Sequence, residues 1–247
     1  MSEATATRGW GFWSFLIFML GLMGLFVGLG FWQMQRLEEK ERLIASVASR
    51  FELPPVALPP VSEWPAFDTE PWAYRPVTLT GTYLPANTVL VFTSLTDPNG
   101  PRSGPGYWVM TPFELSSGGV VFINRGFVPQ EQGAAFLGGG APEAGVLTLS
   151  AIARSPEPAT SFTPVADISG RIDWVRDPLR LAKLAGVLPG VVAPIYVDLP
   201  AGPADALPQG GETVVSFPNN HLGYAITWFG FALLVPPLLW FWARRQR

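Results

Sequence analysis

Cysteine is absent from this sequence, and histidine occurs once, at position 221. The missing thiols exclude a disulfide framework, a thiolate nucleophile and any metal site with a cysteine ligand. A single imidazole also excludes a metal site built from several histidines of one chain. Charged residues make up only 14% of the chain, and the net charge of -3 provides no basic face for nucleic acid.

Two long uncharged runs explain the low charge content. They span residues 10–33 and 222–242, about 24 and 21 residues, and each can cross a hydrocarbon core of ~30 Å. Tryptophans near the ends of both runs are typical of membrane interfaces. No small-residue cleavage site follows the first run, so we expect an uncleaved anchor. We predict transmembrane helices over residues 10–34 and 221–242.

The positive-inside rule orients the two spans. Arg244 and Arg245 follow the second span without an acidic neighbour, which predicts a cytoplasmic C-terminus over residues 243–247. Two spans then place the N-terminus, residues 1–9, on the same side. Basic residues just beyond the first span oppose this orientation, but long loops translocate largely regardless of their charge. Residues 35–220 are therefore predicted to form an extracytoplasmic domain.

Between the spans, β signals dominate. Alternating and β-branched runs, separated by turn residues, predict six short strands. A proline start and a glycine end predict one helix over residues 178–186, and prolines in residues 53–65 predict an extended connector. The fold class is a membrane protein in which two transmembrane α-helices flank a β-rich α+β domain, a small antiparallel barrel or curled sheet. The strands are predicted over residues 74–84, 88–95, 106–115, 119–127, 146–154 and 193–199.

The sequence contains no known catalytic constellation. There is no nucleophile elbow, phosphate loop or dinucleotide fingerprint, and the aspartates show no spacing that requires a shared site. A hydrolase that uses two carboxylates stays open as an alternative, and we predict a protein without enzymatic activity. Residues 96–106 and 130–145 are rich in glycine and proline, which is compatible either with mobile loops that meet a partner or with ordinary connections.

The only histidine lies at the start of the second span. On a helix, His221, Tyr224, Ala225 and Trp228 fall on one face. This face carries the imidazole at the membrane surface and the aromatic rings of Tyr224 and Trp228, and the small side chain of Ala225 leaves space beside them. A flat apolar ligand with anionic groups fits such a place, and haem is one, with histidine its common ligand. The alternative is an interfacial histidine that is hydrogen-bonded to backbone or water.

The first span ends at the same predicted depth. It supplies Gln33, Met34, Arg36 and Lys40, and the two cations are suited to haem propionates. One histidine cannot provide two imidazole ligands, so a haem would be five-coordinate, take Tyr224 or Met34 as a weaker ligand, or bridge two chains. Three glycines along one side of the first span, Gly21, Gly24 and Gly28, allow close backbone approach of another helix.

Five segments of the chain match, in register, the motifs of one known family. They are LGFWQMQRLEEK (29–40), YRPVTLTG (74–81), GYWVMTPFELSSGGVVFINRGFVP (106–129), YVDLP (196–200) and NNHLGYAITWF (219–229). By these segments the chain resembles the surfeit locus protein (SURF) family of cytochrome c oxidase assembly factors. The last segment is the most specific, and in bacterial members of that family its histidine is the proposed haem ligand.

The resemblance implies a role in building haem–copper oxidase. The expected cofactor is haem a, bound transiently by His221 beside Tyr224, Trp228, Gln33 and Arg36. Expected partners are the lipid bilayer, the catalytic subunit of cytochrome c oxidase and haem a synthase. The short N-terminus favours a bacterial inner membrane, with the large domain in the periplasm. Alternatives are a haem-independent scaffold for the catalytic subunit and a tethered extracytoplasmic enzyme or sensor.

Overall fold

The computed structural model of the protein describes residues 9–213 and 219–245, and of Pro189 only the backbone. Its contacts divide the chain into a helical unit, Met1–Ser46 with Ser216–Arg247, and a β-rich unit, Val47–Val215. Apolar helices from both ends of the chain therefore flank a β-rich domain, as the hydropathy pattern predicted.

The helical unit contains two long apolar helices. Helix α1 runs over Trp10–Phe51, and its last turns belong to the β-rich unit. Helix α3 runs over His221–Arg245. Their most apolar windows have a mean hydropathy of 2.2 and 1.7, so both are long and apolar enough to cross a membrane. Helix α1 continues past the apolar run into a stretch of mixed charge.

The two helices run antiparallel and pack through aromatic side chains. Near one end the ring of Phe12 stacks on Trp242, with centroids 4.8 Å apart. Further along, the ring of Phe26 lies 5.8 Å from that of Trp228. The two helices therefore form one hairpin-like pair, since contacts pair the start of α1 with the end of α3.

The β-rich unit is a closed five-stranded barrel. Its strands follow the order β2, β6, β8, β5, β4, and β4 pairs again with β2. Three further strands extend the sheet from β2 and β4. The predicted barrel is therefore confirmed, with each of the six expected strands shifted by two residues or fewer at either end. The strands are β1 Val56–Ala57, β2 Pro76–Tyr83, β3 Val89–Leu95, β4 Gly104–Leu115, β5 Val120–Pro129, β6 Leu147–Arg154, β7 Ile172–Asp173 and β8 Val192–Asp198.

Strands β5 and β8 are buried on both faces, which explains their apolar runs at residues 120–123 and 192–197. Val121 and Ile123 of β5 point into one core cluster, whereas Val120 and Phe122 point into another. Helix α2, Pro178–Ala185, covers the second cluster with Leu181 and its neighbours. The Asp177 carboxylate caps the start of this helix, and Gly186 ends it in a left-handed conformation (φ 69).

The proline-rich connector is more ordered than the sequence predicted. Within residues 53–65 lies the two-residue strand β1, and Val61–Ala66 forms a 3-10 helix. The reason is Trp64, which is buried and donates a hydrogen bond from its indole to the Pro59 carbonyl at 2.9 Å. A second predicted loop also carries a 3-10 helix, Gln130–Phe136.

Candidate functional site

The first turn of α3 holds the one histidine of the chain against α1. His221 Nδ1 lies 2.7 Å from the Gln33 side-chain oxygen. Gln33 is only 8% exposed, so the amide is fixed by its surroundings. Because a carbonyl oxygen can only accept, the imidazole donates its proton from Nδ1. His221 is therefore anchored by a specific side chain rather than by solvent.

This contact decides which imidazole nitrogen is available. With the proton on Nδ1, the Nε2 atom keeps a lone pair that can coordinate iron. Metal-binding histidines commonly donate their other N–H to a protein oxygen in this way. The pairing of His221 with Gln33 is thus compatible with a haem ligand, and equally with a satisfied interfacial histidine.

A groove of about 240 Å³ lies beside the imidazole. It is lined by Arg36, Glu39, Lys40, Leu43 and His221. Arg36 forms an ion pair with Glu39 at 2.8 Å, and both side chains are more than half exposed. Such exposed pairs contribute little stability, so the guanidinium can turn toward an anionic group at small cost. The predicted cations therefore border the histidine.

The remaining predicted residues occupy different positions. Trp228 lies two turns beyond His221 and packs on Phe26. Tyr224 is 57% exposed and does not line the groove. Met34 lines a separate groove on α1, together with Phe31 and Glu38. The structure thus brings His221, Gln33, Arg36 and Lys40 together, and places neither of the suggested second ligands in that groove.

The three predicted glycines of α1 do not face α3. A Cβ atom added at Gly21, Gly24 or Gly28 would meet nothing within 4 Å, whereas one at Gly30 would lie 2.6 Å from the Phe229 ring. Spacings of three and four residues place the first three glycines on one helix face, and Gly30 lies on the opposite face with Phe26 and Gln33. Close approach therefore occurs on the face that also carries the histidine contact.

A second polar cluster, in the barrel, was missed by the sequence patterns. Asp198 is 3% exposed and accepts hydrogen bonds from Asn124 at 2.8 Å, Arg154 at 2.8 Å and Thr213 at 3.0 Å. It ties β5, β6 and β8 to the segment that precedes residue 214. The signal was present, because Asn124 and Asp198 lie in two of the family-like motifs, but only strand pairing brings them together.

The barrel also carries a groove of about 340 Å³ that bears on the enzyme alternative. Its polar side chains include Tyr83, Arg125 and Glu143. Burial raises the pKa of Tyr83 to about 12, against a smaller opposing effect of Arg125, so the phenol stays protonated at neutral pH. Arg125 stacks over the Tyr83 ring and donates to the Gly139 carbonyl. The Arg125 guanidinium and the Tyr83 ring therefore lie against each other in this groove.

Among residues 9–213 and 219–245, no group of three or more metal-ligating side chains occurs. The fold is that of a membrane-anchored β-barrel protein, with one anchored histidine at the start of its C-terminal apolar helix.

Comparison with known proteins places this architecture in a family. The sequence model of the SURF1 family matches residues 20–233. A SURF1-like protein of Monosiga brevicollis is 31% identical over 98% of this chain and 91% of its own length. A SURF1-like protein of Drosophila melanogaster is 31% identical, over 97% of this chain and 78% of its length. Surfeit locus protein 1 of Homo sapiens is 30% identical, over 97% and 81%. The chain belongs to the SURF1 family, which confirms the resemblance seen in its motifs.

Proposed function

We propose that this protein is an assembly factor of cytochrome c oxidase that binds haem a transiently through His221 and assists its insertion into the catalytic subunit. Family membership supports the role in oxidase assembly. The observation that supports haem handling is the contact of His221 Nδ1 with Gln33, since it leaves Nε2 free beside a groove with two cations.

In this proposal haem a is cargo rather than a resident cofactor. His221 supplies the axial nitrogen, Gln33 holds the imidazole, and Arg36 with Lys40 faces the propionates. One neutral histidine makes a weaker site than two axial ligands from the protein would. The haem is therefore held loosely enough to pass to a recipient with more ligands, the catalytic subunit, and haem a synthase is the proposed source. The protein itself catalyses no reaction.

The location follows from the same reasoning. Arg244 and Arg245 end α3 and remain exposed, so we propose that this end is cytoplasmic. The β-rich unit then lies outside, in the periplasm of a bacterium with the helices in the inner membrane. Reaction of single engineered cysteines with an impermeant maleimide in intact cells tests this, because the chain has no native thiol.

Absorption spectra of the purified full-length protein test haem binding. Wild type, His221→Ala and the matched control Gln35→Ala are expressed in cells that synthesise haem a. Gln35 lines the other groove of α1, so the control should retain a reduced haem a spectrum that His221→Ala loses. If folded wild type and His221→Ala both lack haem and still copurify with the catalytic subunit, haem ligation is refuted.

A haem-independent scaffold is the second candidate. The observation in its favour is that the Gln33 contact fully satisfies His221 Nδ1 without any ligand. Under this alternative, His221→Ala leaves both the yield of the catalytic subunit and its haem content unchanged.

A further inference from the structure

The groove of about 340 Å³ lies at one open end of the barrel. It is lined by the last residue of β2, Tyr83, the first residue of β6, Leu147, and the residue after β8, Leu199. These positions share one end because β6 is antiparallel to both β2 and β8. All three side chains pack on the core cluster to which every barrel strand contributes. We call this groove the barrel mouth, and small-molecule sites of about 300–1,000 Å³ are common at such mouths.

A β-bulge places Arg125 at the barrel mouth. In the ladder of β4 with β5, Trp108 pairs with Phe127 and Met110 with Asn124, so Arg125 and Gly126 together stand opposite one residue of β4. Bulges are frequent at barrel rims, where they redirect a side chain. The alternation of β5 therefore breaks at Arg125, and its side chain joins the lining of the mouth.

Arg125 brings a positive charge into this largely apolar mouth without a carboxylate to balance it. Its side chain is half-buried, and no ion pair among residues 9–213 and 219–245 includes it. The guanidinium lies 5.5 Å from the centroid of the Tyr83 ring and donates to the Gly139 carbonyl. Burial lowers the pKa of Arg125, against a smaller raising effect of Tyr83. An anionic ligand would stabilise such a partly desolvated cation, which keeps further N–H donors.

The other polar groups of the mouth determine which anion fits. The Tyr83 hydroxyl stays protonated at neutral pH, because burial raises its pKa to about 12, and it can donate beside Arg125. Glu143 lines the same groove and is exposed, so its negative charge repels a second anionic group on a ligand. One cation and one neighbouring donor beside leucines therefore suit a single carboxylate on an apolar chain.

We propose that the barrel mouth binds a small monocarboxylate with an apolar chain, of the fatty-acid class. Its carboxylate accepts hydrogen bonds from Arg125 and Tyr83, and its chain lies on Leu147 and Leu149, which line the groove. This site belongs entirely to the β-rich unit. It therefore requires neither His221 nor haem.

Isothermal titration calorimetry with octanoate tests the proposal on the full-length, haem-free protein in nanodiscs, with empty nanodiscs as the blank. Arg125→Gln removes the charge and keeps a donor. The matched control is Arg171→Gln, since Arg171 is also half-buried and donates to the Ala86 and Leu137 carbonyls but does not line the groove. Butanoate serves as the probe with a shorter apolar chain.

We expect the Kd for octanoate to rise about tenfold or more in Arg125→Gln, as for a lost hydrogen bond to a charged group, and to stay near the wild-type value in Arg171→Gln. Butanoate should bind wild type about tenfold or more weakly than octanoate, because it lacks methylene groups that contact the leucines. No saturable binding of octanoate to folded wild type, or an equal Kd in Arg125→Gln, overturns the proposal.

A measurement on wild type alone decides the matter should Arg125→Gln fail to fold. In an NMR titration of carboxyl-labelled octanoate, the pKa of the bound carboxylate should lie below that of free octanoate, because the guanidinium favours the ionised form. A raised pKa would place the carboxylate away from Arg125 and overturn the proposal. Tighter binding of a peptide through its C-terminal carboxylate than of octanoate would also overturn it, in favour of a protein partner.

Discussion

Replacing Gln33 with leucine tests how the one imidazole of the chain is held. The change removes the hydrogen-bond partner of His221 Nδ1, a side-chain oxygen at 2.7 Å, while keeping a side chain of similar size. A neutral hydrogen bond contributes about 0.5–1.5 kcal/mol net, and an unpaired buried donor costs about 1–3 kcal/mol. His221 is only half-buried, so water can reach it and the lower range applies.

A loss of about 1 kcal/mol corresponds to roughly a fivefold change in an equilibrium constant. The ratio of the Nδ1–H to the Nε2–H form of His221 should therefore fall about fivefold in Gln33→Leu. Loss of a residue that orients a metal ligand typically weakens metal binding about 10–100-fold. Since solvent compensates here, we expect the Kd for haem a to rise by about 5–10-fold.

Side-chain ¹⁵N NMR of the haem-free protein in nanodiscs measures the tautomer directly. The chain contains one histidine, so the pair of imidazole signals needs no assignment. We expect a protonated Nδ1 in wild type, a mixture in Gln33→Leu and the wild-type pattern in the matched control Gln35→Leu. A wild-type imidazole protonated on Nε2 would refute the reasoning, because Nε2 would then have no lone pair for iron.

Three further predictions concern the β-rich unit. Asp177→Ala removes the cap of α2 and should lower the free energy of unfolding by about 1 kcal/mol in urea titrations, whereas Asp177→Ser should retain most of it. Gly126 has φ +126, and an added Cβ would lie 2.2 Å from a backbone oxygen, so Gly126→Ala should lower the Tm by more than Gly145→Ala, which has positive φ but open space. Burial raises the pKa of Glu157, but the opposing effect of the adjacent Arg176 is larger in total. The net pKa of Glu157 therefore lies below its usual range. The ionised Glu157 stabilises the fold fully above the unfolded pKa of about 4.3, and this stabilisation is lost as the pH falls through the lower folded pKa. The Tm of Glu157→Gln should therefore depend less on pH in the acid range than the Tm of wild type. The same acid dependence in both proteins would contradict the pairing of Glu157 with Arg176.

The local structure could be predicted from the sequence. Uncharged runs marked both apolar helices, and β-branched alternation marked six strands. The start and end of α2 were also readable, because Asp177, Pro178 and Gly186 satisfy the helix ends by local hydrogen bonding and backbone preference. In the candidate site, His221 stood out as the only imidazole, and Gln33 was named from its depth in the opposite span.

Other features depend on tertiary structure. Closure of the barrel depends on β2 pairing with both β6 and β4, and no local pattern encodes which strands become neighbours. The Asp198 cluster joins residues 74 positions apart, so that strand register alone creates it. Rotation of α1 about its axis decided that Gly30, rather than Gly21, meets α3. The sequence by itself determined which segments are helical, extended or membrane-spanning, because those properties arise from neighbouring residues. Only packing decided which faces meet, because that choice depends on the shape of both partners.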